Sequence, residues 1–150
     1  MRRAGLFLAA TVLLMVVLVG AAVAATIDGN NLDNKLVGTN GADIIRGYGG
    51  NDKINGRGGA DTLRGGLGND TLRGAAGVDV IYGGRGGDHV LAEEDDGAND
   101  TVYAGSGNDV IEADGDEGVD TVSCGDGRDQ VSFDGGVDKI AADCEEKDPS

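Results

Sequence analysis

The chain has no tryptophan, two phenylalanines and three tyrosines, too few large rings to fill an ordinary globular core. Proline occurs once, and the 29 glycines do not fall at every third position, which excludes a collagen-like rod. Histidine occurs once, at His89, so a Ser-His-Asp or Cys-His arrangement has no framework, and the chain is expected not to be an enzyme. Basic residues are scarce, 12 against 27 acidic ones, and the net charge of −15 repels phosphate and excludes nucleic acid as a partner. Glutamate is also scarce, six residues against 21 aspartates. Glutamate would suit charged helices; aspartate with glycine suits turns and cation sites. The 150 residues are about the length of one domain.

The amino end reads separately. Met1-Arg2-Arg3 is a short basic start, followed by an apolar run from Leu6 to Val19 and the small-residue finish Ala22-Val23-Ala24. That order is the pattern of a cleavable secretory signal over residues 1–24. The rival reading is an uncleaved anchor, since Ala4 to Ala25 carries no charge and is long enough to span a membrane. The small residues favour cleavage, after which no membrane span is expected, and no cysteine follows the run to carry a lipid. Removing residues 1–24 takes away Arg2 and Arg3, which leaves 10 basic against 27 acidic residues, −17 on 126 positions. Such a density opposes compaction unless something neutralises it.

Beyond residue 30 one motif repeats. Asp43, Asp52, Asp61, Asp70, Asp79 and Asp88 are nine residues apart; Asp100 follows after twelve, Asp109 after nine, Asp120 after eleven, and Asp129 and Asp138 after nine each. Two residues after each stands an aliphatic side chain: Ile45, Ile54, Leu63, Leu72, Ile81, Val90, Val102, Ile111, Val122, Val131 and Ile140. Asn34 with Leu36 continues the register backwards as a degenerate first unit. A short strand alternates sides, so the aliphatic residue faces inward while its neighbours face out. Those neighbours are mostly polar, among them Lys53, Thr62, Thr71, Arg64 and Arg73.

The best-formed units are Gly65-Gly66-Leu67-Gly68-Asn69-Asp70-Thr71-Leu72-Arg73 and Gly83-Gly84-Arg85-Gly86-Gly87-Asp88-His89-Val90-Leu91. They fit the nonapeptide G-G-x-G-x-D-x-U-x, with U aliphatic. The sequence thus resembles the haemolysin-type calcium-binding (RTX) family over about residues 38–140. The resemblance implies an all-β chain: a right-handed parallel β-roll, or solenoid, in which six residues form a turn and three a strand. Two repeats then make one coil, and calcium sits between turns of neighbouring coils. On this reading residues 25–37 are a leader with the degenerate first repeat, 38–141 the calcium-binding roll, and 142–150 a carboxyl-terminal cap and a frayed tail.

The chemistry of the repeats agrees with several calcium ions (Ca2+) as cofactor. Carboxylates and backbone carbonyls are hard oxygen ligands, with no recurrent histidine or cysteine for zinc or copper. The expected ligands are Asp43, Asp52, Asp61, Asp70, Asp79, Asp88, Asp109, Asp120, Asp129 and Asp138, with the turn glycines Gly47, Gly50, Gly56, Gly59, Gly65, Gly68, Gly83 and Gly86. If repeats n and n+2 stack, the regular pairs are Asp43 with Asp61, Asp52 with Asp70, Asp61 with Asp79, and Asp70 with Asp88. The plainer alternative is that these aspartates only cap turns, a task asparagine and serine perform as well. Asp100 sits in a poor turn, Asp95-Asp96-Gly97-Ala98-Asn99, and its site is expected to be weak or absent. Acidic insertions at Glu93-Glu94-Asp95-Asp96 and Asp114-Gly115-Asp116-Glu117 read as exposed bulges, with extra ligation or a partner-binding loop as the sharper alternative.

Cys124 and Cys144 are the only cysteines, in a chain that reads as exported, and they follow aspartates of repeats expected to stack. Disulfides persist outside the cytoplasm, and a bridge there would staple the last coil. The leading functional reading is a secreted, extracellular or cell-surface calcium-binding protein of a bacterium that folds on binding the ion. Its alternatives are an adhesion or matrix module with an unknown cell-surface partner, and a remnant of a larger RTX enzyme or toxin. Family members usually leave by a one-step route read from the carboxyl end, whereas this amino end resembles a general secretory substrate, which counts against a toxin.

Overall fold

The computed structural model describes residues 23–92, 97–115, 118–134 and 137–149. Residues 1–22 of the signal-like segment, the insertion Glu93 to Asp96, and Asp116 with Glu117 lie outside the described residues. In chain order the strands are β1 (Thr26–Asn30), β2 (Lys35–Val37), β3 (Ile44–Gly49), β4 (Lys53–Gly58), β5 (Thr62–Leu67), β6 (Thr71–Ala76) and β7 (Val80–Arg85). They continue with β8 (His89–Leu91), β9 (Thr101–Ser106), β10 (Val110–Ala113), β11 (Thr121–Asp126), β12 (Gln130–Phe133), β13 (Lys139–Ile140) and β14 (Glu146–Pro149). No helix among the described residues is long and apolar enough to cross a membrane.

Odd-numbered strands form one parallel sheet of seven and even-numbered strands a second, so each coil contains two repeats and the chain is a β-solenoid. The nine-residue period dictates this. A strand and its turn use one repeat, the next repeat crosses to the other sheet, and the third lands on the first in register. Ile45 lies over Leu63, Leu63 over Ile81, Ile81 over Val102, and Val102 over Val122. The other sheet stacks Ile54, Leu72, Val90, Ile111 and Val131 in the same way. These ten side chains are buried and form two facing columns, with Cys124 and Cys144 at the carboxyl end. The insertion before Asp100 does not break the register, because Ile81 still pairs with Val102.

Three details correct the reading of the sequence. Half of the strands are six residues long instead of three, because in those repeats the first half of the turn keeps the same conformation coil after coil and pairs too: Gly66 lies over Tyr48 and under Gly84. The roll begins earlier than the degenerate unit at Asn34, since β1 stacks Ile27 on Ile45, with Ala25 at the aspartate position. The carboxyl end does not simply fray: β14 runs along β12, with Glu146 opposite Gln130 and Pro149 opposite Phe133.

Candidate metal centre

The repeating aspartates stand at the two corners of the roll, one row per sheet edge, and ten of them, Asp43 through Asp129, are buried. One row contains Asp43, Asp61, Asp79, Asp100, Asp120 and Asp138; the other contains Asp52, Asp70, Asp88, Asp109 and Asp129. Along each row the backbone N–H of one aspartate donates to Oδ1 of the aspartate in the next coil. The distance is 2.7 Å from Asp43 to Asp61, 2.8 Å from Asp52 to Asp70, 2.7 Å from Asp61 to Asp79 and 2.8 Å from Asp70 to Asp88. The four pairs named from the period are therefore adjacent in space. The hydrogen bonds along the rows run between coils, and local turn capping is seen at the ends, where Thr39 donates to Asp43 and Asp134 to Asp138.

Asp100 belongs in the row, contrary to what its turn suggests. Asp79 donates to its Oδ1 at 2.9 Å, Asp100 in turn donates to Asp120 at 2.8 Å, and its side chain is 4 % exposed. The signal that identifies it is Val102 two residues later, which fixes the coil regardless of the turn's composition. Asp138 closes its row at 3.0 Å from the N–H of Asp120.

The second carboxylate oxygen is the chemically open one. Oδ2 of Asp52, Asp61, Asp70, Asp88, Asp109 and Asp129 is buried and has no hydrogen-bond partner. A buried acceptor left this way costs roughly 1–3 kcal/mol, more when charged. Glycine makes room for it. A Cβ at Gly65 would come within 2.2 Å of Asp70 Oδ2 and 2.6 Å of the Gly83 carbonyl oxygen, so two oxygens converge on a space that any side chain would fill. Gly56 stands in the same relation to Asp61 Oδ2, at 2.2 Å, and the Gly74 carbonyl, at 2.7 Å. Of the expected turn glycines, Gly47, Gly56, Gly65 and Gly83 occupy this inner position. Gly50, Gly59, Gly68 and Gly86 lie farther round the turn with positive φ, and at Gly68 (φ 117°) a Cβ would also run into the Gly50 carbonyl at 2.1 Å.

Electrostatics reinforce the geometry. Burial pushes the Asp88 carboxyl up to about 7; the N–H of Asp70 opposes the rise, and the carboxylates of Asp70 and Asp109 add to it. Burial likewise raises Asp61 to about 6, against the N–H of Asp43 and with the Asp43 charge. Asp70 and Asp109 are raised by the same causes. Asp43 goes the other way, because hydrogen bonds from Thr39 and Ala25 outweigh its burial. The carboxyls of Asp61, Asp70, Asp88 and Asp109 are thus uncomfortable as bare anions where burial places them. Among the described residues, no three His, Cys, Asp or Glu side chains converge. A bound cation must therefore draw on a carboxylate or two and on backbone carbonyls, a hard-oxygen set that fits calcium.

Cys124 and Cys144 meet under the last coils, with Cα atoms 5.1 Å apart and sulfurs paired. The Asp143 carboxylate accepts hydrogen bonds beside them from Ser123 Oγ, at 2.9 Å, and the Gly125 N–H, at 3.1 Å.

No curated protein and no solved structure matches the chain. Four segments that overlap in two pairs, residues 28–63 with 56–90 and 94–131 with 113–140, match the RTX calcium-binding nonapeptide repeat. With those matches spanning most of the roll, and with its coil register and its rows of buried aspartates, the chain belongs to the RTX calcium-binding repeat family.

Proposed function

We propose that this chain is a secreted, non-enzymatic calcium-binding protein whose roll is assembled by several calcium ions held between stacked turns. The observation that carries the reading is the row of buried carboxylates whose Oδ2 atoms lack a hydrogen-bond partner beside glycine carbonyls. Asp43, Asp52, Asp61, Asp70, Asp79, Asp88, Asp109, Asp120, Asp129 and Asp138 would supply carboxylate oxygens, joined by Asp100, and the turn glycines would supply carbonyls. Bound calcium would supply positive charge where the fold has buried negative charge; the chain's own part is to hold these oxygens in register. Export is supported by the basic start, the apolar run and the small-residue finish of residues 1–24. The absence of a catalytic role is supported by the single, outward His89, paired with Glu112 at 2.6 Å.

Calorimetric titration tests the site assignment. Asp70→Ala removes a carboxylate that lies between Asp52 and Asp88 in its row, so it should lower the calcium stoichiometry. Losing a charge-assisted contact of about 1.5–3 kcal/mol should also raise the dissociation constant roughly tenfold or more. Asp126→Ala removes an equal charge from an exposed position and should leave both unchanged. Equal effects from the two would mean that charge acts diffusely and discrete sites are absent.

We also propose that the Cys124–Cys144 pair is a disulfide that staples the carboxyl end. Closing a loop of 20 residues contributes about 3 kcal/mol to the ordered state. Solenoid coils couple mainly to their neighbours. Reduction should therefore speed amide hydrogen exchange around Asp120 to Asp138 and leave the Asp43 to Asp88 block protected. A mass identical before and after reduction, once thiols are blocked, would show the cysteines free and overturn the staple.

A further inference from the structure

One outward row of the roll is built from planar side chains. On the odd-numbered sheet the residue after each inward aliphatic faces out, and in register these residues are Asp28, Arg46, Arg64, Tyr82, Tyr103 and Ser123. At the amino end the row is matched internally, since Arg46 pairs with Asp28 at 3.1 Å. It continues as a stack. The Arg64 guanidinium lies over the Tyr82 ring, 5.0 Å from its centroid, and Tyr82 lies against Tyr103 with centroids 5.2 Å apart and planes 13° from parallel. The strand spacing of about 4.8 Å explains the choice of residues, because it is close to the distance at which rings and guanidinium groups stack.

Tyr82 is covered on both faces and is half-buried, whereas Tyr103 has Tyr82 on one face and is 45 % exposed. No other ring or cation meets Tyr103 among the described residues. Opposite it on β11 stands Ser123, whose side chain is too short to cover the second face. The fold places a charge there. Ser123 Oγ and the Gly125 N–H both donate to Asp143 Oδ2, which fixes an exposed carboxylate beside the uncovered ring. Burial acts to raise the Asp143 carboxyl, but these bonds and the N–H groups of Cys124 and Asp143 outweigh it and hold the group below its ordinary range. Neutral donors leave the charge in place, and no cation pairs with Asp143 among the described residues. Lys139 on β13 is exposed as well, but it lies opposite Thr121 in the neighbouring row and forms no ion pair there. Residues 101–150 contain 14 acidic and three basic residues, so the potential around Tyr103 favours a cationic ligand.

We infer that the slot formed by Tyr103, Ser123 and Asp143 binds an arginine side chain of a partner protein, its guanidinium stacked on the uncovered face of Tyr103 and hydrogen-bonded to Asp143. The row itself displays the contact, because Arg64 makes it on the other side of the same ring pair. Arginine fits better than lysine: its plane stacks on a ring and its fork of N–H donors meets a carboxylate, while an ammonium is a compact point charge. A neutral sugar could use the ring but would leave the charge of Asp143 unmatched. The slot lies on the outer surface, away from the buried aspartate rows, so it stands or falls apart from the calcium reading.

Nuclear magnetic resonance titration of the calcium-loaded protein with acetyl-Gly-Arg-Gly amide tests the slot. The Tyr103 ring and Ser123 amide signals should shift saturably, with a dissociation constant of roughly 10⁻³ M, since one ring and one carboxylate make a weak site. The same peptide with citrulline for arginine, alike in shape but uncharged, should bind at least about tenfold more weakly. Tyr103→Leu should raise the dissociation constant about fivefold or more. Asp143→Asn should raise it several-fold and remove most of the salt dependence between about 20 and 500 mM. Tyr48→Gly removes a similarly exposed ring at the amino end, where Gly66 follows in the next coil, and should change nothing. Ser123→Arg sets a guanidinium in the slot from within the chain and should block the peptide while calcium stoichiometry stays the same. Circular dichroism in calcium confirms that each variant keeps its β structure, and if Tyr103→Leu loses it, Ser123→Arg decides. The absence of a saturable shift at Tyr103 overturns the slot, as does equal binding of the citrulline peptide or binding that Ser123→Arg leaves intact. Saturable shifts of the same ring with maltohexaose and none with the arginine peptide would likewise overturn it and assign the ring to a carbohydrate.

Discussion

Chelating calcium should abolish the β signal of the protein, and adding calcium back should restore it cooperatively, with a midpoint in the range of extracellular modules, about 10⁻⁴–10⁻³ M. Ten buried aspartates form eight neighbouring pairs along the two rows. Two unit charges about 5 Å apart repel by about 3 kcal/mol at an effective dielectric constant near 20. Eight such pairs, fully ionised, outweigh the roughly 5–15 kcal/mol by which a domain of this size is ordinarily stable. The hydrophobic side cannot make up the difference, because the core has one small aliphatic side chain per repeat, each contributing at most about 2 kcal/mol. Hydrogen bonds from backbone N–H groups to Oδ1 relieve part of the repulsion but leave Oδ2 of Asp52, Asp61, Asp70, Asp88, Asp109 and Asp129 unmet. Far-ultraviolet circular dichroism before and after EDTA, with magnesium as the control ion, measures the effect. Magnesium keeps its water and demands octahedral geometry, so it should restore little. An EDTA-treated sample with an unchanged spectrum would show that the roll stands without the ion.

The period made the core and the site legible together, because in a solenoid one spacing sets both. Eleven aspartates with an aliphatic residue two positions later specify which side chains face inward, which coils stack, and which carboxylates are neighbours. The same register brings Cys124 near Cys144. Where the motif decays, the legibility goes with it. β1 stacks Ile27 correctly, yet Ala25 replaces the aspartate, and a backbone N–H that donates to Asp43 Oδ1 needs no carboxylate of its own. The turn before Asp100 suggested a weak or absent site, although its place in the row depends less on turn composition than on the column position of Val102, which is fully buried. β14 carries no aspartate-and-aliphatic signature, since a last strand needs only a backbone edge to pair with. The six-residue strands were unreadable for a different reason. Tyr48 takes a positive φ of 75° at the position where Gly66 and Gly84 take 118° and 121° in later coils, and Arg57, at 81°, lies under Ala75, at 64°. Repetition of one conformation in every coil, more than residue preference, keeps those turns in the ladder.

Acid should partly replace calcium. Asp61 and Asp88 have carboxyls raised from 3.8 to about 6 and about 7 in the roll, mainly by burial and by neighbouring charges. The roll therefore binds more protons than the unfolded chain between about pH 4 and pH 7. Stability of the calcium-free roll is then fully present below pH 4 and is lost as pH rises through 6 and 7. Asp70 and Asp109 shift the same way and add to the effect. Asp43 is lowered and acts oppositely, but only below its ordinary range, so it limits the gain at the most acidic end. Calcium-free protein that is disordered at pH 7.5 should accordingly gain β signal on titration to about pH 4.5. The calcium midpoint should move to higher concentration as pH falls from 7.5 to about 5.5, because the ion must displace protons from the same oxygens. Circular dichroism at low protein concentration, with sedimentation to confirm that the species does not aggregate near the pI of 4.1, separates folding from precipitation. A calcium midpoint that stays constant across this range would mean that the buried carboxylates are ionised at every pH, and the burial that raises them would have no part in binding.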